Sequence, residues 1–266
     1  MASDGVYKRL IAKLFTDRYR PGAARVEFKR EDIPRAAKAL GLPEPRNIGD
    51  VLYSFRFRAD WPDEIARTTP PGKQWVIKGE GPAAYAFTLF SGASIAAAED
   101  FEPIKIPNST PEIVRKYTQS DEQALLAVVR YNRLVDLFLG VTGYSLQNHL
   151  RTQVKSIGQI EIDELYVGVN KSGAHFIIPV QAKGGKDKQG VSQVLQDDAF
   201  CRAKFPNLVP RLIACQFVKG NHVALMELVI SRDSIKKRSE AHYLIVPKDD
   251  ISEDELRQYR QTADSD

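Results

Sequence analysis

Gly158-Gln159-Ile160-Glu161-Ile162-Asp163-Glu164-Leu165 and Ile177-Ile178-Pro179-Val180-Gln181-Ala182-Lys183 are the two runs of this chain whose residue types and spacing suit chemistry. Both read as strands, in which successive side chains alternate faces. Gln159, Glu161 and Asp163 then share one face, and Ile160 and Ile162 the other. On the second run Gln181 and Lys183 point one way, and Phe176, Ile178, Val180 and Ala182 the opposite way. With both apolar faces turned to a core, Asp163, Gln181 and Lys183 converge. A carboxylate and an amide oxygen suit a hard divalent cation. A lysine beside them can stabilise charge developing on a phosphate. Together they are the set needed to cut a phosphodiester.

An acid, then a strand carrying acid-or-amide, any residue, lysine: that order resembles the PD-(D/E)xK superfamily of nucleases. The Gln-Ala-Lys form resembles its Mrr-like branch, where glutamine replaces the second acid. The resemblance covers roughly residues 119–220. It implies a mixed α/β fold with a restriction-endonuclease-like αβββαβ core, cleavage of double-stranded DNA, and magnesium as cofactor, with manganese as the substitute. It also implies a homodimer, since cutting both strands usually takes two active sites. By resemblance Asp163, Gln181 and the main-chain carbonyl of Ala182 are metal ligands, and Lys183 orients the water. An acid from the preceding helix often completes such sites; Glu122 and Asp136 are candidates, and Glu161 is a further ligand candidate. Two departures are plain. Ile162, not proline, precedes Asp163, and neutral Gln181 leaves the site one formal charge poorer. Simpler readings stand beside these. Asp163 and Lys183 could form a cross-strand ion pair. Glu161 could be a solvated strand residue, and Glu122 an ordinary helix-start acid.

The elements that must position these groups follow from pattern. An apolar helix from Ser120 to Leu139 precedes them, capped by Ser120 and ended by Gly140. Asn132 and Asp136 lie among its apolar positions and need partners. Strands are predicted over Tyr144–Val154, Gln159–Val169 and Ala174–Lys183, with Asn170-Lys171-Ser172-Gly173 as a hairpin turn. After a loop whose Lys186 and Lys188 could grip phosphate or merely solubilise, a helix is predicted from Gln189 to Phe205, stopped at Pro206. Gln189, Gln193 and Gln196 share one of its faces; Gln193 is the best candidate to order Gln181 or Lys183. Two more strands, Leu212–Val218 and Val223–Ile230, flank Gly220-Asn221, and a charged tail from Lys248 reads as a surface helix.

Residues 1–92 have the grammar of a winged helix-turn-helix. Helices are predicted over Val6–Tyr19, Asp32–Leu40 and Asn47–Arg56, then a hairpin from Gln74–Lys78 and Tyr85–Leu89. In such a module the last helix enters the major groove, where arginine can bond guanine bidentately. Arg56 and Arg58 are the base-reading candidates, Tyr53 and Ser54 share that helix face, and Lys73 and Lys78 would meet phosphates. Residues 93–118, with prolines at 103, 107 and 111, read as a connector: a flexible tether or an extended segment packed on the core. Residues 119–266 form the nuclease domain in this scheme.

Composition sets the outer limits. The chain has 266 residues, 43% hydrophobic and 27% charged, ordinary for a soluble globular protein. No apolar run reaches the length of a membrane span, and the N-terminus lacks a signal-peptide pattern. A bacterial-type cytoplasmic location, on the nucleoid when DNA is bound, is the expectation. Two cysteines, Cys201 and Cys215, and four scattered histidines argue against a disulfide framework or a zinc site. Residues 1–92 hold 16 Lys+Arg against 11 Asp+Glu, while the remainder holds 22 against 23. A basic module on a near-neutral body suits a polyanionic partner. The expected activity is that of a type II-like restriction endonuclease, or an Mrr-like enzyme acting on modified DNA. The alternatives are a structure-specific or repair nuclease, such as a junction resolvase, and a winged-helix transcription regulator whose C-terminal domain is an inactive nuclease relic.

Overall fold

The computed structural model describes residues 2–57, 59–91, 95–118, 121–154, 158–184, 190–231 and 233–263. The N-terminal lobe begins with α1 (Ala2–Thr16), which buries Leu10, Ile11, Leu14 and Phe15. β1 (Arg25–Lys29) follows, its Val26 and Phe28 inward between exposed Arg25, Glu27 and Lys29. Then come α2 (Asp32–Ala39), α3 (Ile48–Phe57) and the short α4 (Asp63–Ala66). Asn47 Oδ1 accepts the Gly49 N–H at 2.9 Å, starting α3 as its sequence suggests. β2 (Lys73–Gly81) and β3 (Ala84–Ser91) form an antiparallel hairpin, and β1 pairs on the other side of β3. The lobe closes on aromatics, with Phe15 edge-on to both Trp75 and Phe87. β1 and α4 were not expected; both are too short to show a clear period.

The rest of the chain runs β4 (Ile104–Pro107), α5 (Glu112–Tyr117), α6 (Asp121–Tyr131), α7 (Leu134–Leu139), β5 (Thr142–Val154), β6 (Gly158–Val169) and β7 (His175–Lys183). It continues with α8 (Val191–Lys204), β8 (Val209–Pro210), β9 (Leu212–Lys219), β10 (His222–Ser231), β11 (Ser234–Val246) and α9 (Glu253–Ala263). The fold is mixed α/β around a large mixed sheet, ordered β1-β3-β11-β10-β9-β7-β6-β5. β5, β6 and β7 are antiparallel neighbours, and β7 pairs with β9 in parallel across the α8 crossover. α6 and α7 cover one face, where Leu125, Val129 and Val135 meet Ile178, Val180 and Ala182. On the other face Phe200 and Cys201 of α8 meet Ile160, Ile162 and Ile177.

Three features go beyond the sequence pattern. The apolar run to Leu139 is not one helix: it breaks after Tyr131, and Arg133 takes a left-handed φ of 52°. Asn132 is the cause, because its side chain competes for backbone groups. Its Nδ2 donates to the Val128 carbonyl and Thr110 Oγ1, both at 2.9 Å, and its Oδ1 accepts the Ser109 N–H at 2.7 Å. Those contacts pin the connector. Its β4 pairs in parallel with β11, so this part is a fixed extended segment and not a tether. Second, β11 lay hidden because its central Lys236, Lys237, Arg238 and Ser239 are exposed and mask the strand period. Third, the lobes share a core. β3 reaches β11 at the pair Ser234↔Ser91, and Val76 and Phe90 cluster with Val191, Val194, Leu212 and Met226. α3 also packs against α8 and β6.

Candidate active site

At Asp163 the ladder between β6 and β7 stops. Its last pair is Glu164↔Val180. The Ala182 N–H is taken instead by Asp163 Oδ2, at 2.8 Å. A residue's N–H and C=O leave a strand on the same edge, so the Ala182 carbonyl opens on the same gap. Burial pushes the Asp163 carboxyl above its usual range; the Ala182 N–H, Lys183 and His149 oppose this, and Glu122 adds to it. Lys183 Nζ lies 3.8 Å from Glu122 Oε1, with the lysine 27% and the glutamate 50% exposed. Glu122, near the start of α6, thus joins Asp163 and Lys183 at one end of the sheet.

Gln181 is held through its amide nitrogen. It is buried and donates through Nε2 to both oxygens of Asp197 on α8, at 3.2 and 3.0 Å, and to the Glu161 carbonyl at 3.2 Å. Gln193 Nε2 binds the same two acceptors, Glu161 O at 2.7 Å and Asp197 Oδ1 at 3.3 Å. Gln193 and Gln181 thus share two acceptors, one of them the Asp197 carboxyl. The strand reading had no place for Asp197. Burial pushes its carboxyl well above the usual range, against the pull of the Gln181 and Gln193 amides. The signal was in the sequence: Asp197 follows Gln193 by four residues and so shares its helix face.

Glu161 is corrected. Its carboxylate turns to Arg151 on β5, bonding Nε at 3.0 Å and Nη2 at 2.8 Å, so it is tied away from the Asp163 carboxylate. The simple face rule fails because the β5–β6 hairpin changes face. Leu150 and Ile162 pack with α8, whereas Asn148 and Glu164, two residues along each strand, meet Arg130 of α6. His149 and Asp163 are the residues at the crossover. Glu164 is fully buried, held by Arg130 Nε at 2.7 Å. Asp136 pairs with Arg133 and lies away from this group.

The expected DNA-contacting residues divide. Arg58, Lys186 and Lys188 lie outside the described residues. Arg56 is not on an open helix face: its Nε donates to the Ile77 carbonyl at 3.1 Å, and burial lowers its guanidinium pKa. The reason is tertiary, since α3 docks on α8. Arg56, Ile77 and Lys78 line a cleft of about 320 Å3 with Leu195, Gln196 and Ala199. Tyr53 is half-buried, and the Ser54 hydroxyl donates to the Asp50 carbonyl at 2.8 Å. Lys78 Nζ sits 5.1 Å above the Phe90 ring, while Lys73 is exposed. Arg56→Ala is expected to cost about 1–2 kcal/mol, from one hydrogen bond and the packing of the stem. A lower urea midpoint at unchanged slope would register it; an unmoved midpoint would mean the contact is idle.

Among the described residues no group of three or more His, Cys, Asp and Glu side chains is arranged to hold a metal ion, and no helix is long and apolar enough to cross a membrane. Comparison with family models, with curated proteins and with solved structures returns no match to this chain.

Proposed function

We propose that the chain is a magnesium-dependent DNA endonuclease of the PD-(D/E)xK kind with a winged-helix lobe at its N-terminus. One observation carries this reading: Asp163, Lys183 and Glu122, from two strands and a helix, gather where β6 and β7 part. The element order supports it. With the short α7 and β8 set aside, α6, β5, β6, β7, α8 and β9, with β7 parallel to β9, run in the order of an αβββαβ core, and with the short α4 set aside α1-β1-α2-α3-β2-β3 runs in that of a winged helix.

The donors suit magnesium, which keeps several waters and is typically bound by one or two carboxylates with substrate oxygens. Asp163 and Glu122 would hold it, with the Ala182 carbonyl on the same gap. Bound there, the ion supplies charge neutralisation and water activation. Gln181 anchors the end of β7 through Nε2, which Asp197 and the Glu161 carbonyl engage, and its Oε1 would be the neutral ligand. Lys183 then presents an ammonium to the phosphate, and the Ala182 N–H holds the Asp163 carboxylate in place.

The docking of α3 on α8 favours one second reading, a nuclease that reads DNA shape and backbone rather than base edges. Purified protein should be incubated with supercoiled plasmid, methylated and unmethylated, and with branched duplexes, in magnesium, manganese or EDTA. Metal-dependent cleavage is the expected result. Preference for branched substrates would favour the shape reader. Failure to cut any of them with either metal argues against both.

A further inference from the structure

His149 takes a left-handed φ of 44° in the middle of β5, a conformation uncommon for a residue with a Cβ. Its position is not arbitrary. The ladder pairs on either side are Asn148↔Glu164 and Leu150↔Ile162, so His149 stands across from Asp163. This is where the hairpin changes face, and the side chain is exposed. A strained, non-glycine residue beside a candidate reactive carboxylate is where strain is retained for a purpose. Glycine would make the same crossover without strain, so the backbone alone does not require histidine.

We propose that His149 is a further catalytic residue of this site, its imidazole donating a hydrogen bond to a non-bridging oxygen of the phosphate held beside Asp163 and Lys183. The proposal rests on the nuclease reading and adds a donor from a third strand. No bond to the protein forms or breaks; the imidazole offsets charge on the phosphate as the water attacks.

His149→Gly separates backbone from side chain. Single-turnover cleavage of plasmid in magnesium is expected to fall about 100-fold, while DNA affinity holds and the melting temperature stays level or rises. His149→Asn, which tolerates the left-handed region and keeps an N–H donor, should recover part of the rate. With an unreactive phosphorothioate duplex in EDTA, the His149 Cε1–H resonance should shift. A His149→Gly variant that cuts at the parental rate overturns the proposal and leaves the nuclease reading intact. So does an unmoved imidazole resonance when other resonances show binding. A parent protein that cuts none of the DNAs removes the nuclease reading itself, and the proposal with it.

Discussion

On the proposed nuclease reading, Lys183→Ala is expected to lower the single-turnover rate of DNA cleavage by about 10²–10³-fold, the scale of removing one preorganised charge donor from a transition state. On the proposed reading DNA affinity should change little, because one lysine is a small part of an electrostatic interface. The fold should survive. The Lys183–Glu122 pair is 3.8 Å apart and its lysine is 27% exposed, and such partly solvated pairs contribute about 0–1 kcal/mol. Loss of cleavage with an intact unfolding midpoint therefore cannot be blamed on unfolding. Lys183→Arg should not restore the rate, since a planar guanidinium does not replace a compact ammonium. The competing view makes Lys183 an ordinary ion-pair partner. Under it the variant cuts as the parent does, and that outcome would sink the catalytic assignment.

The parts of the site that were legible obey local rules. Ile160 and Ile162 alternate with polar neighbours and do face the α8 side of the sheet. Asn170 and Gly173 make the predicted turn: Asn170 Oδ1 accepts the Ser172 and Ala174 N–H groups at 3.0 Å, and Gly173 has a φ of 79°. What stayed hidden depends on events that no local period encodes. The period-2 rule assumes an unbroken strand, so the face change at His149 and Asp163 parts Glu161, which turns to Arg151, from Asp163. Gln196-Asp197-Asp198 looks like a solvated helix surface, yet Asp197 is buried while Asp198 pairs outward with Arg202. Arg56 reads as a base-contacting side chain because nothing in residues 1–92 announces that α3 docks on α8. Local pattern placed the acid and the lysine; tertiary packing decided which amide and which second carboxyl accompany them.

Asp197 ties the two faces of that account together. Asp197→Ala is expected to destabilise the protein by about 1–3 kcal/mol, since it leaves the buried Gln181 amide and Gln193 with the Glu161 carbonyl as their shared acceptor. Cleavage should fall as well, because the end of β7 that carries Lys183 loses its anchor. The pH dependence is more diagnostic. Burial holds the Asp197 carboxyl well above its usual range, whereas in the unfolded chain it ionises near the ordinary value of about 3.9. Between those two values the folded state binds more protons than the unfolded state. Stability is then greatest below about pH 4 and falls as pH rises, by up to about 1.4 kcal/mol per unit, until the folded carboxyl ionises. Asp197→Asn keeps one oxygen acceptor and cannot titrate. Urea unfolding of parent and Asp197→Asn from about pH 4 to 8 isolates this group, because every other carboxylate is common to both. The parent should lose stability relative to the variant as pH rises. A difference that stays flat, or that grows in the parent's favour, would mean that Asp197 is ionised in the folded protein. The two glutamines would then be holding an anion rather than a carboxylic acid.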